Sequence, residues 1–228
     1  MILLQHYNSS HFQTSKPSVV VSLGIGADIR AEEKLKEVLP KVKIFSLFVY
    51  NDAKMATYQV KLSVRSGNDI NTLRDQHWSF FGADPVMIPN AELFSKVGKF
   101  FPFAITNSVT INRQYRVTVE HINVLGFFLI MLERNFIDHV IMDNEGPEYD
   151  FIPMIAINNV FAKNGICICH MNVEVSEGYE KFTKIMWDLL VAGRFGIIHN
   201  LSIGHQRMFI VNYEDRRCTE KYLEQFFK

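Results

Sequence analysis

Short apolar runs alternate with amphipathic, helix-like patterns along most of this chain, and that rhythm restricts the fold more than any other feature. We predict strands over residues 19–23, 79–83, 101–105, 137–142, 166–175, 195–199 and 208–213. We predict helices between Asp28 and Pro40 and over residues 91–96, 121–134, 148–163, 179–192 and 219–227. Strands that alternate with helices form mainly parallel sheets covered on both faces. The sequence therefore predicts an α/β protein.

Composition fits one compact domain without a strongly charged surface. Of 228 residues, 48% are hydrophobic, and 24 Lys and Arg balance 24 Asp and Glu. No basic stretch is interleaved with aromatic residues, so we expect no nucleic-acid partner. The longest apolar run, residues 124–132, is shorter than the roughly 18 residues that a membrane span needs. The N-terminus lacks a basic leader, so we expect a soluble protein, cytoplasmic by default.

The three cysteines, Cys167, Cys169 and Cys218, are an odd number and too few for a disulfide framework. Cys167 and Cys169 alternate along one predicted strand, so their side chains share one of its faces. We interpret them as small buried apolar residues in a reducing compartment. The eight histidines show no metal-ligand spacing, so no metal site is predicted.

The first predicted strand runs into the sequence SLGIGAD, from Ser22 to Asp28. Two glycines after an apolar run indicate either a plain strand-to-helix turn or a close approach of the backbone to a ligand. A dinucleotide fingerprint would need a third glycine at position 29, which is isoleucine here. A cofactor without phosphates needs the close approach but no anion at a helix start, and S-adenosylmethionine is such a cofactor.

Two acidic residues follow later predicted strands, Asp84 after residues 79–83 and Asp143 after residues 137–142. Ligands of open parallel sheets bind beyond the carboxyl ends of the strands, so the glycines and both aspartates are candidates for one site. Asp143 lies in the sequence MDNEGPEY, where Glu145 and Glu148 have an alternative role as helix-capping residues. We place Asp143 at the mouth of the site, facing a sulfonium cation or a substrate hydroxyl.

Polar residues of the later strands are weaker candidates. Asn172 and Glu174 share one strand face, where they either reach solvent or line a substrate pocket. His170, His199 and His205 lie at or near predicted strand ends, where each is a candidate proton acceptor. Lone histidines are more often core or surface residues, so none of the three is assigned that role.

Residues 43–77 interrupt the alternation. The runs KIFSLFVY and TYQVKLSV flank the polar sequence NDAKMA and predict a β-hairpin. In dinucleotide-type folds the acid that holds a ribose lies about 20 residues beyond the glycines, whereas Asp84 lies much further along. Either Asp84 is not that residue, or residues 43–77 are an insertion within a single domain.

Several stretches, in order from about Ser18 onward, together resemble the FkbM-type methyltransferase family in its branch expanded in nematodes. They are VVVSLGIGADIRAEEKLKEVLP, FFGADPV, KVGKFFPFAI, VIMDNEGPEYDFIP, MNVEV and GHQRMFIVN. The resemblance implies a class I methyltransferase-like Rossmann sandwich that binds S-adenosylmethionine. Its seven-stranded sheet would be mainly parallel, with an antiparallel last strand. Residues 43–77 have no counterpart in the family pattern.

The resemblance also implies roles for single residues. The cofactor loop comprises Gly24, Ile25, Gly26 and Ala27. Asp84 matches the ribose-binding acid, and Asp143 matches the acid near the methyl donor. Asp143 and Glu145 are therefore the candidate catalytic residues, which position the methyl acceptor or accept its proton.

Three functional classes follow from these expectations. The first is a methyltransferase that acts on an oxygen of a small molecule or glycan, because methyl transfer needs mainly in-line alignment. The second is a catalytically inactive relative that binds ligands, with a cofactor cleft spoiled by residues 43–77. The third, a nicotinamide-dependent oxidoreductase, is disfavoured by the incomplete glycine pattern.

Overall fold

The computed structural model describes residues 18–38, 49–50, 59–60, 78–106, 111–112, 119–144, 146–175 and 178–224. The strands among these residues are β1 Ser18–Leu23, β2 Val49–Tyr50, β3 Gln59–Val60, β4 Trp78–Ala83, β5 Lys99–Phe101, β6 Ala104–Thr106, β7 Ile111–Asn112, β8 Val119–Asn123, β9 Phe136–Met142, β10 Cys167–Val175, β11 Phe195–Ile203 and β12 His205–Asn212. The α-helices are α1 Arg30–Val38, α2 Met87–Phe94, α3 Val124–Gly126, α4 Glu148–Ile152, α5 Val160–Lys163, α6 Tyr179–Ala192 and α7 Arg216–Cys218. Wider π-helical turns follow three of them, over Phe127–Met131, Pro153–Ile157 and Thr219–Leu223.

The chain divides into two compact units. One comprises residues 1–17 and 30–78, and its described part contains α1 and the antiparallel pair β2–β3. That pair, with Val49 opposite Val60, falls within the predicted hairpin segment. Most of residues 43–77 lie outside the described residues, so the insertion within a single domain stays a prediction. The other unit comprises residues 18–29 and 79–228.

The main sheet contains seven strands in the order β11-β12-β10-β9-β1-β4-β5. β9 runs parallel to β1 and to β10, and β4 runs parallel to β5. β12 is antiparallel to both of its neighbours, β10 and β11. The predicted mainly parallel sheet with an antiparallel last strand is therefore confirmed. β1 lies between β4 and β9, so the strands that precede Asp84 and Asp143 flank the first strand.

The core explains why these segments become strands and helices. All six residues of β1 are buried, because a central parallel strand is covered on both faces. In α6, Phe182, Ile185 and Leu189 recur at helical spacing and are the buried residues. Gly193 ends α6 in the left-handed conformation, at φ +60°, which a glycine adopts without steric cost. No helix in the described part of the chain is long and apolar enough to cross a membrane.

Two predicted elements are wrong around the small sheet β6-β8-β7. The strand predicted over residues 101–105 is interrupted at Pro102, because proline lacks the N–H that a sheet interior needs. Part of the helix predicted over 121–134 is instead the end of β8. The helix begins after Asn123, whose side chain accepts hydrogen bonds from Leu125 N (3.0 Å) and Gly126 N (3.3 Å). Asparagine at this capping position sets the boundary that apolar periodicity does not show.

Three other helices differ from the prediction in extent. The helix predicted over residues 91–96 is α2, which begins at Met87 and ends at Phe94. The helix predicted over 148–163 is broken before α5, where Asn159 adopts a left-handed conformation at φ +60°. The C-terminal helix begins earlier than predicted, at Arg216, because Asp215 caps it by accepting from Arg217 N. The end of that predicted helix, residues 225–228, lies outside the described residues.

The interpretation of Cys167 and Cys169 as small buried apolar residues is wrong for Cys169, which is buried but disulfide-bonded. Cys169 of β10 and Cys218 of α7 form a disulfide with a Cα–Cα distance of 5.2 Å. Cys167 is free and buried, as predicted, and its Sγ lies 3.4 Å from that of Cys218. The pairing depends on α7 returning to the start of β10, which the local sequence does not reveal. A disulfide is typical of oxidising compartments, so cysteine usage no longer supports a reducing one.

Candidate functional site

The carboxyl ends of three strands, β4, β1 and β9, meet at one edge of the main sheet. Gly24 N donates to Ala83 O (2.9 Å), which joins the ends of β1 and β4. Asp143 N donates to Leu23 O (2.8 Å), which joins the ends of β9 and β1. The predicted glycine loop therefore lies between the segments that carry Asp84 and Asp143. This edge beside the central strand is where open α/β sheets bind their ligands.

Position 24 requires a glycine for two reasons, its own backbone conformation and the main chain of Asp143 beside it. Its φ of +77° lies in the left-handed region, and an added Cβ would lie 1.8 Å from the carbonyl oxygen of Asp143. Two main chains thus meet where no side chain fits. Gly26 has a φ of +59°, but its added Cβ would meet no atom within 4 Å. The two glycines of the loop therefore have different roles, one steric and one conformational.

Asp84 holds the glycine loop in place. It is 6% exposed, and its Oδ2 accepts from Ile25 N (2.8 Å) and Gly26 N (3.4 Å). Its Oδ1 accepts from Val86 N (2.7 Å). A carboxylate offers about four acceptor positions, and these three N–H groups leave one on Oδ1. The predicted ribose contact stays a prediction, and the described contacts leave room for one hydroxyl.

Asn90 is a loop-positioning residue that the sequence analysis missed. It lies in α2, is 2% exposed, and its Oδ1 accepts from Ala27 N (3.0 Å). Ala27 has a φ of +57°, a conformation that alanine rarely adopts, so this contact holds a strained residue. The available signal was a polar residue in the otherwise apolar stretch VMIPNA after Asp84.

Three consecutive N–H groups of the loop, at Ile25, Gly26 and Ala27, are thus already bound by the side chains of Asp84 and Asn90. In phosphate-binding loops such groups point at the anion instead. The loop in this structure therefore offers a close backbone approach without a phosphate cradle.

Glu148 shapes the second loop of the site. Its side chain is completely buried and accepts from Asn144 N and from Gly146 N (2.6 Å). The alternative role as a helix cap is not confirmed for Glu148, because α4 has no side-chain cap hydrogen bond and Glu148 instead binds the loop that precedes the helix. Asp143 is exposed at the end of β9, and Glu145 lies outside the described residues. The buried Oδ1 of Asn144 has no hydrogen-bond partner among the described residues, so it is an acceptor available at this edge.

Glu174 lies near the carboxyl end of β10 in an ion-pair cluster. Its carboxylate accepts from Arg207 Nε (2.7 Å) and Nη2 (3.0 Å), and His205 Nδ1 lies 2.8 Å from its Oε1. Of the three histidines considered above, His205 alone begins a strand at this edge. His170 lies inside β10 against the ring of Tyr222, with centroids 4.3 Å apart, and burial lowers its pKa to about 4. Its position inside the strand makes it a packing residue.

The sheet order, the antiparallel last strand and the glycine loop beside the central strand together define a class I methyltransferase fold. A family model described as the methyltransferase FkbM domain matches residues 18–216. The chain belongs to this family, as the resemblance predicted. Comparison with curated proteins finds no match.

Solved structures of methyltransferases are similar to this chain at low identity. A structure described as the METTL16 MTase domain is 10% identical, with a TM-score of 0.46. The match covers 91% of this chain and 63% of that one, so this chain spans less than two thirds of it. The human methyltransferase 10 domain containing protein is 10% identical, with a TM-score of 0.41, over 92% of this chain and 76% of that one. At these scores neither similarity carries an argument about function.

Proposed function

We propose that this chain is an S-adenosylmethionine-dependent methyltransferase that methylates an oxygen of a small molecule or glycan. The observation that carries the choice of cofactor is the state of the loop from Gly24 to Ala27. Its N–H groups are bound by Asp84 and Asn90, which disfavours a pyrophosphate, while the open space beside Gly26 allows the close approach that an adenosyl group needs. Membership of the FkbM family supports the same cofactor.

The residues present fit this cofactor in the polar groups that they offer. Gly24, Ile25, Gly26 and Ala27 would hold its methionine part along the loop backbone. Asp84 would accept from one ribose hydroxyl through the remaining position on Oδ1. Asn144 Oδ1 is a buried acceptor without a partner among the described residues, and it would accept a hydrogen bond from an amino group of the cofactor.

The methyl acceptor would bind beside the end of β9. S-adenosylmethionine, when bound, supplies an electrophilic methyl group, and transfer to oxygen depends mainly on in-line alignment. Asp143 is exposed at this edge and would position the acceptor hydroxyl and accept its proton, together with Glu145. Glu148 would fix the backbone that presents Asp143, through its bonds to Asn144 N and Gly146 N.

Isothermal calorimetry with S-adenosylhomocysteine, S-adenosylmethionine and NAD tests the proposal. We expect both adenosyl compounds to bind, and we expect no measurable heat of binding for NAD. NAD binding without S-adenosylhomocysteine binding would overturn the cofactor assignment. Binding without methyl transfer to any hydroxyl-bearing acceptor would indicate the inactive relative instead.

The variant Asp143→Asn separates catalysis from binding. The substitution keeps the size of the side chain and removes its charge. We expect S-adenosylhomocysteine affinity to change by less than about threefold, because the methionine part is held by the loop. Methyl transfer, followed with a labelled methyl group, should fall at least tenfold. The matched control is Asp150→Asn, at an exposed acid of α4, which should leave both quantities unchanged.

A further inference from the structure

A cavity lies at the opposite edge of the main sheet from the glycine loop. It has a volume of about 390 Å³, and its wall includes the first residues of β10 and β11, Cys167 and Phe195, and the last residue of β12, Asn212. β10 contains nine residues, so about 25 Å of strand separates this edge from the glycine-loop edge. The cavity is therefore distinct from the proposed methyltransferase site.

Arg194 is the feature of this cavity that indicates a ligand. Its side chain is only 11% exposed. Nε donates to Glu214 Oε2 (2.6 Å), and Nη2 donates to Asn159 Oδ1 (2.6 Å). Nη1 is buried and has no hydrogen-bond partner among the described residues. A buried N–H donor without a partner is costly, so a ligand that accepts from Nη1 would recover that free energy.

Hydrogen bonds of Asn212 fix the wall of the cavity near Arg194. Asn212 is 5% exposed, and its Oδ1 accepts from Glu214 N and Asp215 N, both at 3.0 Å. Its Nδ2 donates to Ile168 O (3.0 Å). The turn that carries Glu214 is thus fixed to the sheet, and the cavity does not depend on a loose loop.

The acidic side chains on this wall are each paired with an arginine. Glu214 pairs with Arg194 and Asp215 pairs with Arg217. The bond from Arg217 is the main reason that the pKa of Asp215 falls to about 2, so this carboxylate stays charged and occupied. Because neither acid is unpaired, an incoming carboxylate meets no uncompensated negative charge there.

The apolar part of the lining comes from Ile155, Phe161, Ile166, Ile168 and Phe195, and the exposed Arg216 is a second arginine on the wall. The volume of about 390 Å³ lies within the usual range of small-ligand pockets. A ligand with an apolar body and one anionic head matches both parts of the wall. We propose that this cavity binds a small aliphatic carboxylic acid, with its carboxylate on Arg194 Nη1 and its chain against the apolar wall.

Octanoate is the probe, and isoleucine methyl NMR of the full chain is the measurement. We expect saturable shifts at Ile155, Ile166 and Ile168, with Ile25 at the glycine loop unaffected. Acetate lacks the chain and octylammonium carries the opposite charge, so both should bind at least tenfold more weakly.

Three variants assign the binding to this cavity. Arg194→Gln removes the guanidinium and should weaken octanoate binding at least tenfold. Arg216→Gln is the matched control, because Arg216 lies on the same wall but is 87% exposed and pairs with Glu220. It should leave the affinity unchanged. Ala162→Phe keeps Arg194 and fills the cavity from an exposed position of α5, so it should abolish binding even if Arg194→Gln folds poorly.

Two results would overturn the proposal. One is the absence of saturable octanoate shifts below about 1 mM, which corresponds to roughly 4 kcal/mol of binding free energy. The other is octanoate affinity that survives both Arg194→Gln and Ala162→Phe, since the acid would then bind elsewhere.

Discussion

Gly24 and Gly26 form a matched pair for testing the close approach of two backbones. Gly24→Ala places a Cβ 1.8 Å from Asp143 O, so the end of β1 must separate from β9. We expect a loss of several kcal/mol in the free energy of unfolding, together with loss of S-adenosylhomocysteine binding. In Gly26→Ala the added Cβ meets no atom within 4 Å. This variant should lose only about 1 kcal/mol of unfolding free energy, from the strain of a left-handed alanine. Urea unfolding of both variants measures the difference. Equal losses would contradict the steric role of Gly24.

Asp84 has two separable roles, and an analogue of the ligand distinguishes them. Asp84→Asn should weaken S-adenosylhomocysteine binding at least tenfold, because it disturbs the loop and replaces the carboxylate. If Asp84 also accepts from a ribose hydroxyl, the wild type should lose affinity for the 2′-deoxy or the 3′-deoxy analogue. The difference in affinity between S-adenosylhomocysteine and that analogue should then be much smaller for Asp84→Asn than for the wild type. A double-mutant cycle from calorimetry gives this coupling. A coupling near zero for both analogues would restrict Asp84 to holding the loop.

The disulfide joins β10 to α7 across 49 residues. Closing a loop of this length in the unfolded chain corresponds to about 3–4 kcal/mol of stabilisation. Cys169→Ala should therefore lower the free energy of unfolding by roughly that amount under oxidising conditions. Cys167→Ala, at the free cysteine of the same strand, is the control and should cost less. A thiol assay on the unfolded protein should find one free cysteine. Three free thiols in protein kept oxidised would contradict the pairing.

A half-buried pair of histidines, His139 and His170, should make the stability of the sheet depend on pH. Burial, and then the neighbouring His170, lower the pKa of His139 to about 3. Burial, and then Lys221, lower the pKa of His170 to about 4, and Asp138 opposes both shifts. The unfolded chain, with pKa values near 6.5, binds protons that the folded chain does not. Stability is thus fully present above about pH 6.5 and falls towards pH 4, by up to about 1.4 kcal/mol per pH unit for each histidine.

Replacing both residues tests this dependence. His139→Phe with His170→Phe keeps aromatic rings beside Phe209 and Tyr222. We expect urea unfolding between pH 7.5 and 4.5 to show a shallower decline for the double variant than for the wild type. An identical decline would place the pH dependence in other groups.

The sequence predicts the sheet well where local pattern and tertiary environment agree. β1, β9 and β10 are long apolar runs, because central parallel strands are buried on both faces, and α6 has the bounds that its periodicity predicts. The beginning of α3 was missed because a capping side chain, Asn123, overrides the apolar periodicity. The disulfide and the contact of Asn90 with Ala27 were missed because both join segments far apart in the chain.

In the candidate site, the sequence predicts the positions of the residues but not the contacts of their side chains. The positions of Gly24, Asp84 and Asp143 at one edge follow from strand order, which the alternating pattern restricts. The direction in which their polar groups point does not follow from it. Asp84 binds the glycine loop through the N–H groups of Ile25 and Gly26, and Glu148, interpreted from the sequence as a capping residue, holds the second loop. These contacts depend on side-chain packing in the folded molecule.

The whole molecule is predicted to tolerate removal of residues 43–77. The unit that contains residues 18–29 and 79–228 holds six strands of the main sheet completely and all of β4 except Trp78. Lengthening a loop costs only about 0.6 kcal/mol per doubling, whereas disrupting the central sheet would expose much apolar area. Joining Val42 to Trp78 should therefore leave a cooperatively folded protein of equal or greater stability.

The deletion is measured by urea unfolding and by S-adenosylhomocysteine binding. A second version, with a short Gly-Ser linker between Val42 and Trp78, separates a strained join from the loss of a needed segment. We expect at least the linked version to unfold in one transition and to bind the ligand with wild-type affinity, because Asp84, Asn90 and the glycine loop are retained. Loss of cooperative unfolding in both versions would show that residues 43–77 contribute to the core. In that case Asp84 would no longer be displaced by an insertion, and its match to the ribose-binding acid would fail with it.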